Sequence, residues 1–139
     1  YFYDLSIWEC QLTSIKKTPR FLAAIAVEKV IEEGAFSGVA LNQSLNQTAL
    51  SGADKALTTE LFYGVLRWKT ALEATVKKSC KKPGSKIHKK LRAHLWVAAY
   101  QLHHLQERIP PFAAINEAVK AIKKVKKMSK KAVAKKAKK

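Results

Sequence analysis

The sequence predicts an all-α fold, and three observations predict it. Apolar residues recur at three-to-four spacing in one segment after another, the interval that gathers them on one side of a helix. No segment alternates apolar and polar residues as a half-buried strand would. The breaks between segments carry helix punctuation at Thr18-Pro19, Gly34, Ser51–Asp54 and Pro110-Pro111. At 139 residues the chain is long enough to bury a core as one domain without disulfides or metal.

Taken in order, residues 1–17 place Leu5, Trp8, Leu12 and Ile15 at helical spacing, which reads as an amphipathic arm packed on the body. Thr18-Pro19 then supplies an N-cap and a first-turn proline, and the stripe Leu22, Ile25, Ala26, Val30 ends at Gly34. A short helix follows from Phe36 to Thr48, with Leu41 and Leu45 inward. Ser51 and Asp54 match a capping box opening a helix whose buried face is Leu57, Leu61, Phe62 and Val65. Gly64 lies inside that helix, where glycine costs about 1 kcal/mol against alanine, so a close helix approach or a bend near Gly64–Trp68 is expected. The pattern continues through Leu72 and Val76 to Cys80. A helix over Ile87–Leu105 carries Leu91, Leu95, Ala98, Ala99 and Leu102, and Trp96 and Val97 widen its apolar arc until it reads as central and nearly all-round buried. Tyr100 and Gln101 are expected to hydrogen-bond within the bundle.

The last predicted helix starts near Pro111 and turns Ile115, Ala118, Val119, Ile122 and Val125 toward the protein. Asn116 and Glu117 sit beside that stripe and read as a structural polar pin, because an unpaired buried amide or carboxylate costs about 1–3 kcal/mol. A general acid or base at Glu117 would need reactive partners that this stretch does not offer; a partner contact is the other alternative. From Lys120 onward the chain mixes lysine with Ala, Val and Met, keeps a helical spacing in part, and should fray through mutual repulsion unless anions screen it.

The net charge of +17 is unevenly placed. Residues 1–119 hold 16 Lys/Arg against all 10 Asp/Glu, whereas residues 120–139 hold 11 lysines and no acid. A field of that sign favours polyanions, nucleic acid first and an acidic membrane surface second. Within the body, Lys77, Lys78, Lys81, Lys82, Lys86, Lys89, Lys90 and Arg92 surround a Pro83-Gly84-Ser85 turn, and no acid occurs from Ala74 to Gln106. Uncompensated cations so gathered point to phosphate contacts. Lys16, Lys17 and Arg20 form a second cluster, placed at a helix start where cations oppose the helix dipole.

Several function classes are not indicated. No apolar run approaches the ~18–20 residues that span a bilayer, and Asp4 and Glu9 interrupt what would otherwise be a leader-like start. Cys10 and Cys80 lie far apart without CxxC or Cys/His ligand spacing, so neither a metal nor a redox cofactor is expected, and a reduced cytoplasmic setting is. His88, His94, His103 and His104 crowd one region without the i, i+4 spacing of a helical metal site. No nucleophile–base pair or phosphate loop stands out, so no enzyme is predicted.

Four segments in this order resemble the NusB-like RNA-binding domain, most closely the version at the N-terminus of RsmB/Sun-type rRNA 5-methylcytosine methyltransferases. They are Gly34-Ala-Phe-Ser-Gly-Val-Ala-Leu-Asn42, Glu60-Leu-Phe-Tyr-Gly-Val-Leu-Arg-Trp68, Ala99-Tyr-Gln-Leu102 and Arg108-Ile-Pro-Pro-Phe-Ala-Ala-Ile-Asn-Glu-Ala-Val119. The resemblance implies two packed helical subbundles that bind RNA without catalysis, in antitermination and transcription regulation or as an accessory to a separate methyltransferase domain. It implies ribosomal RNA as partner, with a small-subunit ribosomal protein or a methyltransferase catalytic domain beside it, and it places Lys16, Lys17 and Arg20 on an RNA-contacting end. The chain departs from the family where a Phe-Val-Asn-Ala-Val-Leu-Arg-like final helix would follow and the lysine tail stands instead. It also lacks a methyltransferase's glycine-rich loop and motif cysteine. The organisation expected is therefore an arm at 1–17, a NusB-like helical domain at 18–124 and a lysine-rich tail at 125–139. The function expected is RNA binding through phosphate neutralisation, with Trp68 or Asn42 as candidates for base contact; the alternative is a module that docks a protein partner.

Overall fold

Thr18 caps the first helix as its position predicts: its Oγ1 accepts from the Phe21 backbone N–H at 3.2 Å, and Pro19 takes the first turn. In this computed structural model, which describes residues 18–46, 50–82 and 86–137, the helix is α1 (Pro19–Glu33). It ends at Gly34, whose φ of 70° is left-handed, with the Ala35 N–H returning to the Lys29 carbonyl at 3.2 Å. Then come α2 (Ser37–Asn46), α3 (Gly52–Arg67), α4 (Lys69–Ser79), α5 (Lys89–His104) and α6 (Pro111–Ala137). Ser51 caps α3, its Oγ accepting from the Asp54 N–H at 3.2 Å. The described residues contain no strand, so the protein is all-α.

The core forms around α1 and α5. Leu22, Ala23, Ala24, Ala26 and Val27 of α1 are buried; α1 packs on α2, α3 and α5, while α5 also meets α4 and α6. One cluster joins Val27, Leu41, Leu61, Phe62, Val65, Leu72, Trp96, Val97 and Tyr100 across five helices. A second, smaller one joins Phe21 to Ala121 and Val125, seating α6 on α1. As expected, α5 is buried almost all round, from Ala93 and His94 through Trp96 to Gln101.

Gly64 is the closest approach in this core. A Cβ there would stand 2.2 Å from Cζ of Tyr100, so α3 and α5 touch through a glycine on one side and a phenol on the other. The bend expected as the alternative near Gly64–Trp68 is also present: the helical pattern that runs from Ser51 to Cys80 breaks at Trp68, which has φ −103° and ψ 17° and both ends α3 and begins α4. The break lets α4 turn so that Leu72 reaches the core while its own C-terminus approaches the start of α5.

Helix α6 differs from its expected register. Ala114, Ala121, Val125 and Met128 are buried, whereas Ile115 and Val119 are 50% and 44% exposed and Phe112 is 74% exposed. Small alanines admit α6 closely to α5, and the larger aliphatics stand about one residue, or about 100°, round the helix. The boundary drawn after residue 124 falls inside α6, where buried Val125 and Met128 continue the packing. The expected arm lies outside the described residues.

Candidate nucleic-acid interface

The basic stretch folds into the two ends of a helix pair. The C-terminal half of α4 and the N-terminal half of α5 run beside each other. Together they enclose an open cavity of about 680 Å³, within the size range of ligand sites. Its floor is apolar, made by Val76, Cys80, Ile87 and Trp96. Lys77, Lys82, Lys86, Lys89, Arg92 and His88 stand around it, with Glu73 as the single carboxylate in the lining. Pro83, Gly84 and Ser85, the expected turn, lie outside the described residues.

Not all eight cations play the same part. Lys90 Nζ lies 3.0 Å from Glu28 Oε1, with both side chains nearly buried, and Arg92 pairs with Glu32. Burial pushes the Glu28 carboxyl above its usual range, a rise that the Lys90 ammonium opposes. These pairs fasten α5 to α1, so Lys90 and Arg92 act in the structure as ties between helices. Arg92 also lies 5.8 Å from the Trp96 ring centroid, as does Lys69 Nζ. Lys77 bonds Glu73 at 3.4 Å; slight burial raises that carboxyl, but the ammonium groups of Lys77 and Lys69 carry it below the ordinary value. Lys78, Lys81, Lys86 and Lys89 are exposed and have no ion-pair partner among the described residues. Local spacing gives no sign of this division, because Glu28 and Glu32 are some 60 residues away in sequence.

The second predicted cluster is described only at Arg20, since Lys16 and Lys17 lie outside the described residues. Arg20 is half-buried and turned inward: its Nε donates to Gln101 Oε1 at 2.7 Å, and Gln101 Nε2 donates to the Val97 carbonyl at 3.1 Å. Gln101 is thus bonded inside the bundle, as expected. A small cavity of about 20 Å³ beside it is lined by Thr18, Arg20, Phe21, His94, Gln101 and Glu117. His94 is 4% exposed, with its ring 5.3 Å from that of Phe21. Burial lowers its pKa from the ordinary 6.5 to about 4, so it is neutral at pH 7. Glu117 faces this polar cluster half-buried, with Lys120 3.9 Å away. Asn116 is exposed, which corrects the expectation of a buried Asn-Glu pin: the same rotation that exposes Ile115 carries Asn116 outward.

Two surface features escape the sequence pattern. Trp68, His104 and Tyr100 form a column of rings, each neighbouring pair stacked at 4.9 Å. On α6, Phe112, Ile115 and Val119 line up in an exposed apolar row, and Phe36 and Val39 of the α2 region are also exposed. Among the described residues no three His, Cys, Asp or Glu side chains come together to hold a metal, and no helix is long and apolar enough to cross a membrane.

Comparison with known proteins agrees with the fold. The profile of the NusB family matches residues 17–134. The chain is 39% identical over 110 residues to the ribosomal RNA small subunit methyltransferase B of Citrobacter koseri, covering 75% of this chain and 23% of that protein. It is likewise 39% identical over 100 residues to that of Cronobacter sakazakii and over 102 residues to that of Shewanella oneidensis, covering 22% and 23% of their lengths. The chain therefore spans less than a quarter of the curated relatives it matches. No solved structure matches it.

Proposed function

The chain belongs to the NusB family, and from that membership we propose that it is a non-catalytic RNA-binding domain, of the kind that serves in transcription antitermination or as the accessory domain of an rRNA methyltransferase. The observation that carries this reading is the acid-free run from Ala74 to Gln106, folded so that lysines ring an apolar-floored cavity. Lysines neutralising phosphates supply sequence-independent affinity, and an apolar floor suits the face of an unstacked base. Small-subunit ribosomal RNA is the ligand suggested by the name of the relatives. Methyl transfer would then reside on another domain, in keeping with the fraction of their length that this chain spans.

The test is equilibrium binding of the full chain to single-stranded and hairpin fragments of small-subunit rRNA between about 50 and 200 mM salt. The comparison is the variant with Lys78, Lys81, Lys86 and Lys89 changed to alanine. The wild type should lose affinity steeply with salt, and the variant's slope should be shallower by about 0.7 for each phosphate contact removed from a single strand. Binding indifferent to salt, or a variant with the wild-type slope, refutes the reading.

The exposed row Phe112, Ile115 and Val119 favours a second reading, a module that docks a small-subunit ribosomal protein or a methyltransferase catalytic domain through α6. Changing Phe112 and Val119 to serine should then abolish capture of the protein partner and leave RNA affinity unchanged.

A further inference from the structure

We propose that Trp68 is a base-stacking platform for single-stranded RNA, a site separate from the lysine-ringed cavity; the proposal rests on the RNA-binding reading above. The geometry begins at Gly64. With no Cβ there, the Tyr100 ring lies directly on α3, and Tyr100 is 9% exposed. His104, one helical turn further along α5, stacks on Tyr100 at 4.9 Å and 24°. Trp68 stacks on His104 at 4.9 Å and 27°. A column anchored in the core thus ends in an indole at the surface.

Trp68 is 45% exposed although one of its faces is covered by His104, so much of the residue remains in contact with solvent. It occupies the corner between α3 and α4, at a backbone conformation (φ −103°, ψ 17°) that fixes where the side chain leaves the chain. A planar, held and half-covered indole offers a fourth layer to the column at no cost in side-chain ordering, and every base has a π-face to supply it. The charge around it has the right sign. Arg67 is exposed and has no ion-pair partner among the described residues, and Lys69, which follows Trp68 in the chain, pairs with Glu73 at 3.6 Å.

The position relative to the cavity fits one ligand. Trp68 stands at the start of α4 and Cys80 at its end, flanking 11 helical residues and about 18 Å apart. Because α4 and α5 lie antiparallel, a strand with its phosphates on Lys86 and Lys89 can run along the pair and place a base on Trp68. The two contacts differ in chemistry: the lysines recognise phosphate, whereas the indole recognises a base. Their contributions can therefore be separated.

The experiment compares the wild-type chain with Trp68→Ala and Trp68→Phe, using a short oligoadenylate and inorganic polyphosphate as probes. Trp68→Ala should weaken oligoadenylate binding about tenfold, as loss of one stacked base does. Polyphosphate binding and the salt slope should not change, and Trp68→Phe should restore most of the affinity. Unchanged oligoadenylate affinity in Trp68→Ala overturns the proposal and leaves an indole that serves a protein partner. Equal losses for both probes also overturn it, because they mark a merely structural residue. A wild-type chain that binds neither probe overturns the RNA-binding reading itself, and is distinguishable from both of these outcomes.

Discussion

Replacing His94 by glutamine should flatten the pH dependence of stability between pH 6.5 and about 4. The imidazole is 4% exposed, and burial holds its pKa down at about 4 in the folded protein, against the ordinary 6.5. Between those values the unfolded chain binds a proton that the folded chain does not. Stability contributed by the neutral ring is therefore complete above pH 6.5, declines as pH falls through the window, and levels off below about 4. At 1.36 kcal/mol per pH unit the whole window amounts to about 3 kcal/mol. Arg20 and Glu117 line the same small cavity and stay in place in the variant, while Glu28 and Glu73 titrate alike in both chains. The difference between the two stability curves thus isolates His94. Urea denaturation followed by circular dichroism at a series of pH values measures it. The wild type should lose about 3 kcal/mol more than the variant between pH 7 and pH 4. Parallel curves would show that the folded imidazole takes up its proton as readily as the unfolded one, and would refute the argument from burial.

Gly64→Ala should lower the melting temperature despite alanine's better helix propensity, because its Cβ would meet Tyr100 Cζ at 2.2 Å in a packed core; a net loss of about 1–2 kcal/mol is expected, and a rise in melting temperature would contradict it. Phe21→Ala should cost about 3 kcal/mol, and hydrogen exchange should show α6 amides around Ala121–Val125 losing more protection than those of α3, since Phe21 is the large side chain under α6.

Local signals in the sequence were enough for most of the frame. Thr18, Gly34 and Ser51 act on backbone groups within a few residues of themselves, so their caps can be read without knowing the fold. Gly64 could be recognised as a close approach because a glycine in mid-helix needs a reason, although its partner Tyr100 could not be named. The register of α6 failed for a physical reason. Pattern reading follows the largest apolar residues and chose Ile115 and Val119, whereas close helix packing selected Ala114 and Ala121. The ring column was equally out of reach, because Trp68 and His104 belong to different helices and meet only after α4 turns at Trp68.

The same limit applies to the charges, and it bears on how binding is tested. A cation near other cations reads as an anion contact, and by that rule Lys90 and Arg92 rank with Lys86 and Lys89. Folding separates them: Glu28 and Glu32 stand one turn apart on α1 and take Lys90 and Arg92, leaving Lys86 and Lys89 without an ion-pair partner among the described residues. The start of α5 is a poor place for lysine, since the helix dipole repels cations there. Two of its cations are offset by carboxylates from α1, whereas Lys89 has no such partner among the described residues and, on the RNA-binding proposal, would be offset by a phosphate. Removing Lys90 would leave Glu28 nearly buried and unpaired, which destabilises the contact between α1 and α5 in its own right. Loss of RNA binding after Lys90→Ala would therefore report on the fold, and the same loss after Lys89→Ala, with the melting temperature unchanged, would report on the ligand.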